Sequence, residues 1–323
     1  MRMSRGRARA VRSVAAAVVV LCMALAPSAA SAATRLSTGP SAAGAGRIAD
    51  GRVVQISTRG PSWYDLAYFR RVMRAGTAGA RLPRRVRVPA VVGLASPGIR
   101  PGLWLVTVTT KPVGFAWCSA NFVFTKSGTR GLGTAGHCAA KDALGAYPDV
   151  TAYVVPPVGS GKLPGFYHIG RFALSHNNGI GDDFAMISIY PQYNSWVNPT
   201  MPVWGGPIGV YRSNTPTVAK HFGHGVVVGT GGTPRAGVCP ILTARGGNAF
   251  AWYGASTPGD SGSGVVALAD EALGDLTHIV IYDGSKGNPV GQILPGMIAG
   301  TRMTKILQIA AGWSLVQGSL IPA

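Results

Sequence analysis

Along the chain, apolar and polar positions fall into three regimes. Val14 to Ala26 is a nearly unbroken apolar run, followed by the small-residue stretch Ser28 to Ala33. From 34 to about 95 no period is sustained, although Trp63 to Met73 (WYDLAYFRRVM) fits one short amphipathic helix. From about 101 onward the pattern changes to segments of four to eight residues rich in Val, Ile, Thr and aromatics: Leu103 to Thr109, Asn121 to Thr125, Thr151 to Val155, Phe184 to Tyr190, Val226 to Thr230, Gly264 to Leu268 and Leu276 to Tyr282. Turn signals such as Ser127-Gly128-Thr129, Asn177-Asn178-Gly179 and Gly231-Gly232-Thr233-Pro234 separate them. The last stretch, Thr304 to Leu315, reads as a helix. Thr304 is its expected N-cap, and Ile306, Leu307, Ile309, Ala310 and Trp313 share one face at spacings of three and four. An all-β barrel or sandwich with one C-terminal helix is therefore predicted.

The first regime has a targeting logic. Residues 1 to 12 carry five Arg and no acid. The apolar run that follows is about 13 residues long, short of the roughly 20 that a spanning helix needs, and Ala30-Ser31-Ala32 or Ser31-Ala32-Ala33 offers a cleavage site. Residues 1–33 are read as a signal peptide, so the mature chain is expected to be secreted and extracellular, with no stable membrane anchoring. Cys22 would leave with the signal.

Composition then narrows the function classes. With 47% hydrophobic residues among 323, disorder is excluded, and 46 Gly with 23 Pro indicate many turns. A formal charge of +19 would on its own suggest a nucleic-acid or anionic-surface binder. Its distribution argues otherwise. Residues 34–100 hold 12 Arg against two acids, whereas 101–323 hold 13 basic and 9 acidic residues. Segment 34–95, with its linker-like Gly39 to Gly46 and its basic run Arg81 to Arg87, is read as a pro-segment or N-terminal extension.

Candidate chemistry lies in three places. Cys118 and Cys138 are spaced to close a hairpin in an oxidising compartment, fixing the loop Thr134-Ala135-Gly136-His137-Cys138; such a bridge contributes about 3 kcal/mol in a chain-entropy account. A histidine held there is suited to general-base work, because imidazole titrates near neutrality. Next, Gly259-Asp260-Ser261-Gly262 presents one serine on a turn whose glycines let successive N–H groups converge. Serine needs such help, being a poor nucleophile without a base and without donors for the oxyanion. Finally, Asp183 stands directly before the apolar strand Phe184 to Tyr190, where a carboxylate can fix the tautomer of His137. Each feature alone is common.

Taken in order, these motifs resemble the trypsin and chymotrypsin family of serine peptidases, and more closely its secreted bacterial branch, the streptogrisins and α-lytic protease. The resemblance spans about 101 to 315 and follows the order His, Asp, Ser, which unrelated folds arrange differently. It implies two packed six-stranded antiparallel β-barrels with a C-terminal helix, in a peptidase domain at 96–323 divided near 195–205. It also implies that His137 is the general base and then acid, Asp183 its orienter and Ser261 the nucleophile. Backbone N–H groups of Gly259 and Ser261 would form the oxyanion hole, and Asp260 would turn inward to pair with a cation that the motif does not identify. Thr277 would stand where the family bonds a serine to the catalytic Asp.

Departures from the family pattern shape the expected specificity. Ala255 occupies the place of the acid in enzymes that cut after Arg or Lys, so cleavage after an apolar or small residue is expected. His278 and Ile279 replace small glycines and would narrow the specificity pocket lined by Ala255, Thr277, His278 and Ile279. Ser263 replaces the second glycine of the usual GDSGG, and Cys239 is left without a partner among the mature cysteines. His168, His176, His221 and His224 show no metal-ligand spacing, so neither a metal nor another cofactor is expected. The expected partner is a protein or peptide substrate and not a nucleic acid, and the chain itself is expected to be a monomer. Two other classes stay open at the sequence level: a triad-bearing barrel serving as a binding module, and a polyanion binder working through the N-terminal arginines.

Overall fold

The computed structural model describes residues 46–48, 51–55, 97–110, 113–139, 149–225, 233–256, 259–282 and 296–320. The expected signal peptide, the helix at Trp63 to Met73, the basic run Arg81 to Arg87 and the strand at Val226 to Thr230 lie outside these residues.

Sixteen strands are present in the described residues. The N-terminal pair is β1 (Gly46–Ile48) and β2 (Gly51–Gln55). A first group follows: β3 (Trp104–Thr110), β4 (Val113–Ser119), β5 (Val123–Lys126), β6 (Thr129–Thr134), β7 (Asp149–Val154), β8 (Gly165–Asn177) and β9 (Asp183–Ile189). A second group comprises β10 (Thr217–Gly223), β11 (Thr233–Thr243), β12 (Ala249–Gly254), β13 (Gly264–Val266), β14 (Ala272–Tyr282) and β15 (Gly296–Arg302). The chain closes with helix α1 (Met303–Ile309) and β16 (Ser314–Leu315).

The ladders between these strands are antiparallel. The first sheet runs β16-β5-β6-β9-β8-β7-β3-β4 and curls around a core that includes Leu105, Val123, Leu132, Tyr167 and Ile187. In the second, β14 pairs with both β13 and β15, so β14-β13-β10-β11-β12-β15 closes into a six-stranded ring around Phe250, Trp252, Leu276 and Ile298. Closure removes the unpaired edges that an open sheet would expose. A third cluster, with Phe124 and Phe184 from the first sheet, Phe122 from the connection leading into β5, Phe222 from the second sheet and Met303 and Ile306 from α1, seals the seam between them. That seam is where the candidate site forms.

Local sequence explains several elements. Ser127 and Gly128 both adopt positive φ (46° and 82°), the geometry of a tight hairpin turn, and set the register Lys126↔Thr129 between β5 and β6. β9 (DFAMISI) is buried on both faces and hence reads as a continuous apolar run instead of an alternation.

The terminal helix differs from expectation at both ends. It begins at Met303, with Arg302 as N-cap and no side-chain capping bond, and it stops at Ile309. Gly312 takes a positive φ of 83°, which turns the chain so that Ser314 and Leu315 pair with β5. Strand lengths also exceed the expected four to eight residues: β8 has 13, and β11 and β14 have 11 each. Bulges in the β8–β9 and β14–β15 pairings let these long strands bend around their sheets.

Candidate active site

His137 sits on a single 3-10 turn (Gly136–Cys138) directly after β6, and three constraints fix it. Cys118 and Cys138 are joined by a disulfide, tying the turn to the end of β4. Ser175 on β8 donates its hydroxyl to the Gly136 carbonyl at 2.9 Å. The N–H of His137 donates to Asp183 Oδ1 at 2.9 Å. Gly136 itself has to be glycine, because a Cβ there would run into the His176 carbonyl.

Asp183 opens β9 and is fully buried. Its Oδ2 accepts from His137 Nδ1 at 2.8 Å, and His137 Nε2 lies 2.9 Å from Ser261 Oγ. With Nδ1 donating to the carboxylate, Nε2 is left to accept the Ser261 proton. Burial by itself pushes the Asp183 carboxyl up, but the adjacent His137 and the bonds it donates outweigh this, and the net direction is down. The group stays anionic.

Ser261 comes from the second barrel, on the turn before β13. Gly262 in that turn has φ 83° and packs against Thr134, Ala135 and Ser119, leaving no room for a side chain. The N–H groups of Gly262 and Ser263 donate to the carbonyls of Leu276 and Asp260, which fixes the loop's shape. Ser119, next to Cys118, braces the same loop twice: its N–H donates to the Ser261 carbonyl at 2.8 Å and its hydroxyl to the Gly259 carbonyl at 2.9 Å. The N–H of His224 in turn donates to the Ser119 hydroxyl.

Asp260 points inward, fully buried, and its cation is Arg235 on β11: Nη1 donates to Oδ2 at 2.5 Å, while the Gly225 N–H donates to Oδ1. Sequence reasoning missed this arginine. The available signal was a single basic residue in the otherwise uncharged strand Thr233–Thr243. Thr301, which with Gly300 and Arg302 resembles the family's pocket wall, instead reaches Asp183. Its hydroxyl meets both the N–H and the carbonyl of Asp183 at 3.2 Å, whereas the hydroxyl of Thr277 lies 2.7 Å from His278 Nδ1 and 3.5 Å from the Ala299 carbonyl.

Among the residues expected to line a pocket, Ile279 packs into the barrel core with Phe250, Trp252 and Ile298, and His278 is fully buried. Ala255 is half-buried, and its carbonyl faces His221 Nε2 at 3.4 Å. Ser263 is buried with Oγ 3.3 Å from His221 Nδ1. Burial drives the Cys239 thiol up to about 12, a direction that disfavours the reactive thiolate.

A six-stranded barrel and a curled sheet meet at a seam to which one contributes a serine and the other a histidine and an aspartate. The fold is chymotrypsin-like. No protein-family model and no curated protein matches the chain. Solved structures of similar shape include Thermobifida fusca protease A, with 17% identity and a TM-score of 0.41 over 68% of this chain and 99% of that one. A glutamic-acid-specific serine protease, described as using a histidine triad in substrate binding, gives 18% identity and a TM-score of 0.46 over 68% of this chain and 100% of its own. Cellulomonas bogoriensis chymotrypsin gives 18% identity and a TM-score of 0.40 over 68% and 99%.

Burial sets a pH dependence for this chymotrypsin-like fold. His221, His224 and His278 are each pushed down to about 4, desolvation being the largest cause. A histidine with a folded pKa below its unfolded value of about 6.5 stabilises the native state above 6.5, and this contribution is lost as pH falls toward the folded value. Unfolding between pH 6.5 and 4 is therefore expected to take up as many as three protons at these sites. Asp275, whose shift runs upward, releases one in the same window. Urea midpoints that fall steadily from pH 7 to 4.5 would match, with a net uptake of about two protons. A flat profile would contradict the neutral, buried assignment of the histidines.

Proposed function

We propose that the chain is a secreted serine endopeptidase that works through an acyl-enzyme intermediate. The observation that carries this reading is His137 placed between the Asp183 carboxylate and the Ser261 hydroxyl at 2.8 and 2.9 Å. In this mechanism Nε2 takes the Ser261 proton as Oγ attacks the scissile carbonyl, and the imidazolium then hands that proton to the leaving amine. Asp183 holds the tautomer and stabilises the charged ring. The oxyanion faces the N–H groups of Gly259 and Ser261, whose loop is kept in shape by Arg235 and Asp260. Water repeats the sequence on the acyl-enzyme. A neutral Ala255, half-buried in place of an acid, favours an apolar or small residue at the cleavage site. The disulfide agrees with an oxidising, extracellular setting.

The same reading makes residues 34–95 a pro-segment, with 1–33 as the signal and 96–323 as the peptidase domain. The register of β2 supports this. Gln55 pairs with His278 and Gly51 with Tyr282, so β2 lies along the strand that the family resemblance assigns to the specificity pocket, and its C-terminal end runs toward the loop of Ser261. Ser261 has no exposed surface. Both features fit a latent precursor. The secreted protein is expected to begin near residue 96 and to cleave members of a mixed peptide library; N-terminal sequencing and product mass spectrometry check the two points. A processed protein that binds peptides but cleaves none would favour the binding-module reading instead.

A further inference from the structure

Behind Asp183 lies a second buried carboxyl that the proposed mechanism does not use. Asp275 on β14 is fully buried and stands opposite Thr301 on β15 in the strand register. Its Oδ1 accepts the Thr301 N–H at 3.1 Å, and its Oδ2 is buried with no hydrogen-bond partner among the described residues. Among the described residues no cation forms an ion pair with it. The nearest arginine in sequence, Arg302, turns its guanidinium to the carbonyls of Leu242 and Ser213 and to the Asn214 side chain. Of the remaining ionisable groups nearby, Asp183 on β9 is the catalytic anion itself, and His137 and His278 lie beside that carboxylate. Thr301 reaches across the seam, bonding both main-chain groups of Asp183 through its hydroxyl.

We propose that Asp275 and Thr301 are positioning residues for the reaction proposed above: the pair clamps the barrel that carries Ser261 onto the backbone of Asp183, and Asp275 performs this as an uncharged carboxylic acid. Two buried anions at this seam would repel each other, and the uncharged form of Asp275 leaves Asp183 as the negative charge that His137 meets. Burial and the charge of Asp183 both push the Asp275 carboxyl well upward. The sequence signal for this is an aspartate inside the apolar strand Ala272–Tyr282.

The inference rests on the endopeptidase reading for its kinetic part only. Asp275→Asn keeps a neutral group with an acceptor oxygen, so kcat at pH 7 is expected to stay within about twofold of the parent enzyme. Thr301→Val removes the hydroxyl, and kcat is expected to fall on the order of 10²-fold, the scale of a small misplacement of a reacting group, with KM little changed and activity restored in Thr301→Ser. A second readout needs no activity. Native Asp275 retains a proton that the unfolded chain releases above about pH 4, so the penalty for burying it grows as pH rises. The Tm of Asp275→Asn should match the parent near pH 3 and exceed it increasingly through pH 4 to 7. A pH-independent Tm difference, or an Asn variant that loses activity while folded, would overturn the proposal. If the parent hydrolyses nothing, the Tm series alone decides it.

Discussion

Replacing Ser261 with alanine is expected to lower kcat on the order of 10⁶-fold while leaving the fold and KM nearly unchanged. The magnitude follows from removing the nucleophile of a unit whose members act together, so that losing one costs about as much as losing all. The structure gives the reason for the small structural effect. Ser261 Oγ has His137 Nε2 at 2.9 Å, while the loop is held by backbone bonds from Ser119 to Ser261 and from Gly262 to Leu276. Asp183→Asn should cost less than Ser261→Ala, because the amide keeps the ring in place but favours the wrong tautomer, an effect on the order of 10⁴ in kcat. Steady-state kinetics on one peptide substrate distinguishes the two.

The second large effect concerns Arg235. Its side chain is 9% exposed and that of Asp260 is 0% exposed, so Arg235→Met leaves a buried, uncompensated carboxylate at the base of the nucleophile loop. Breaking a buried pair on one side costs about 3–5 kcal/mol, a large fraction of a typical domain's stability. Activity should fall with it, since Asp260 is the residue next to the nucleophile. The double variant Arg235→Met, Asp260→Asn tests the cause: with the stranded charge gone, stability should largely return in urea unfolding. A single variant as stable as the parent would show that the ion pair contributes nothing to the fold.

Much of the site was legible because its chemistry is concentrated in short motifs. Thr134 to Cys138, Asp183 and Gly259 to Gly262 each combine a reactive side chain with glycines or a cysteine that fix local backbone, and such features survive in a one-dimensional reading. The fold class was legible for a related reason: β9 carries a nearly continuous apolar run, β14 ends in one from Ile279 to Tyr282, and the turn at Ser127-Gly128 is written in residue type. What escaped depends on long-range pairing. Arg235 meets Asp260 across 25 residues, and Thr301 meets Asp183 across 118; neither spacing has a local signature. Strands such as β10 and β15 escape because they mix glycine, alanine and polar residues, and ring closure through tertiary pairing overrides weak intrinsic preference. The helix end was misplaced because Gly312 and the pairing of β16 with β5 outweigh an apolar face that would otherwise continue.

The claim at the centre of this account is that Ser261 is an activated nucleophile. A fluorophosphonate probe, which reacts with serine only where a base and an oxyanion site assist, measures this directly. Intact mass and peptide mapping of the processed, secreted protein should show one adduct, located on Ser261, and none on the Ser261→Ala variant. An unlabelled parent protein, or an adduct that persists in the alanine variant, would contradict it.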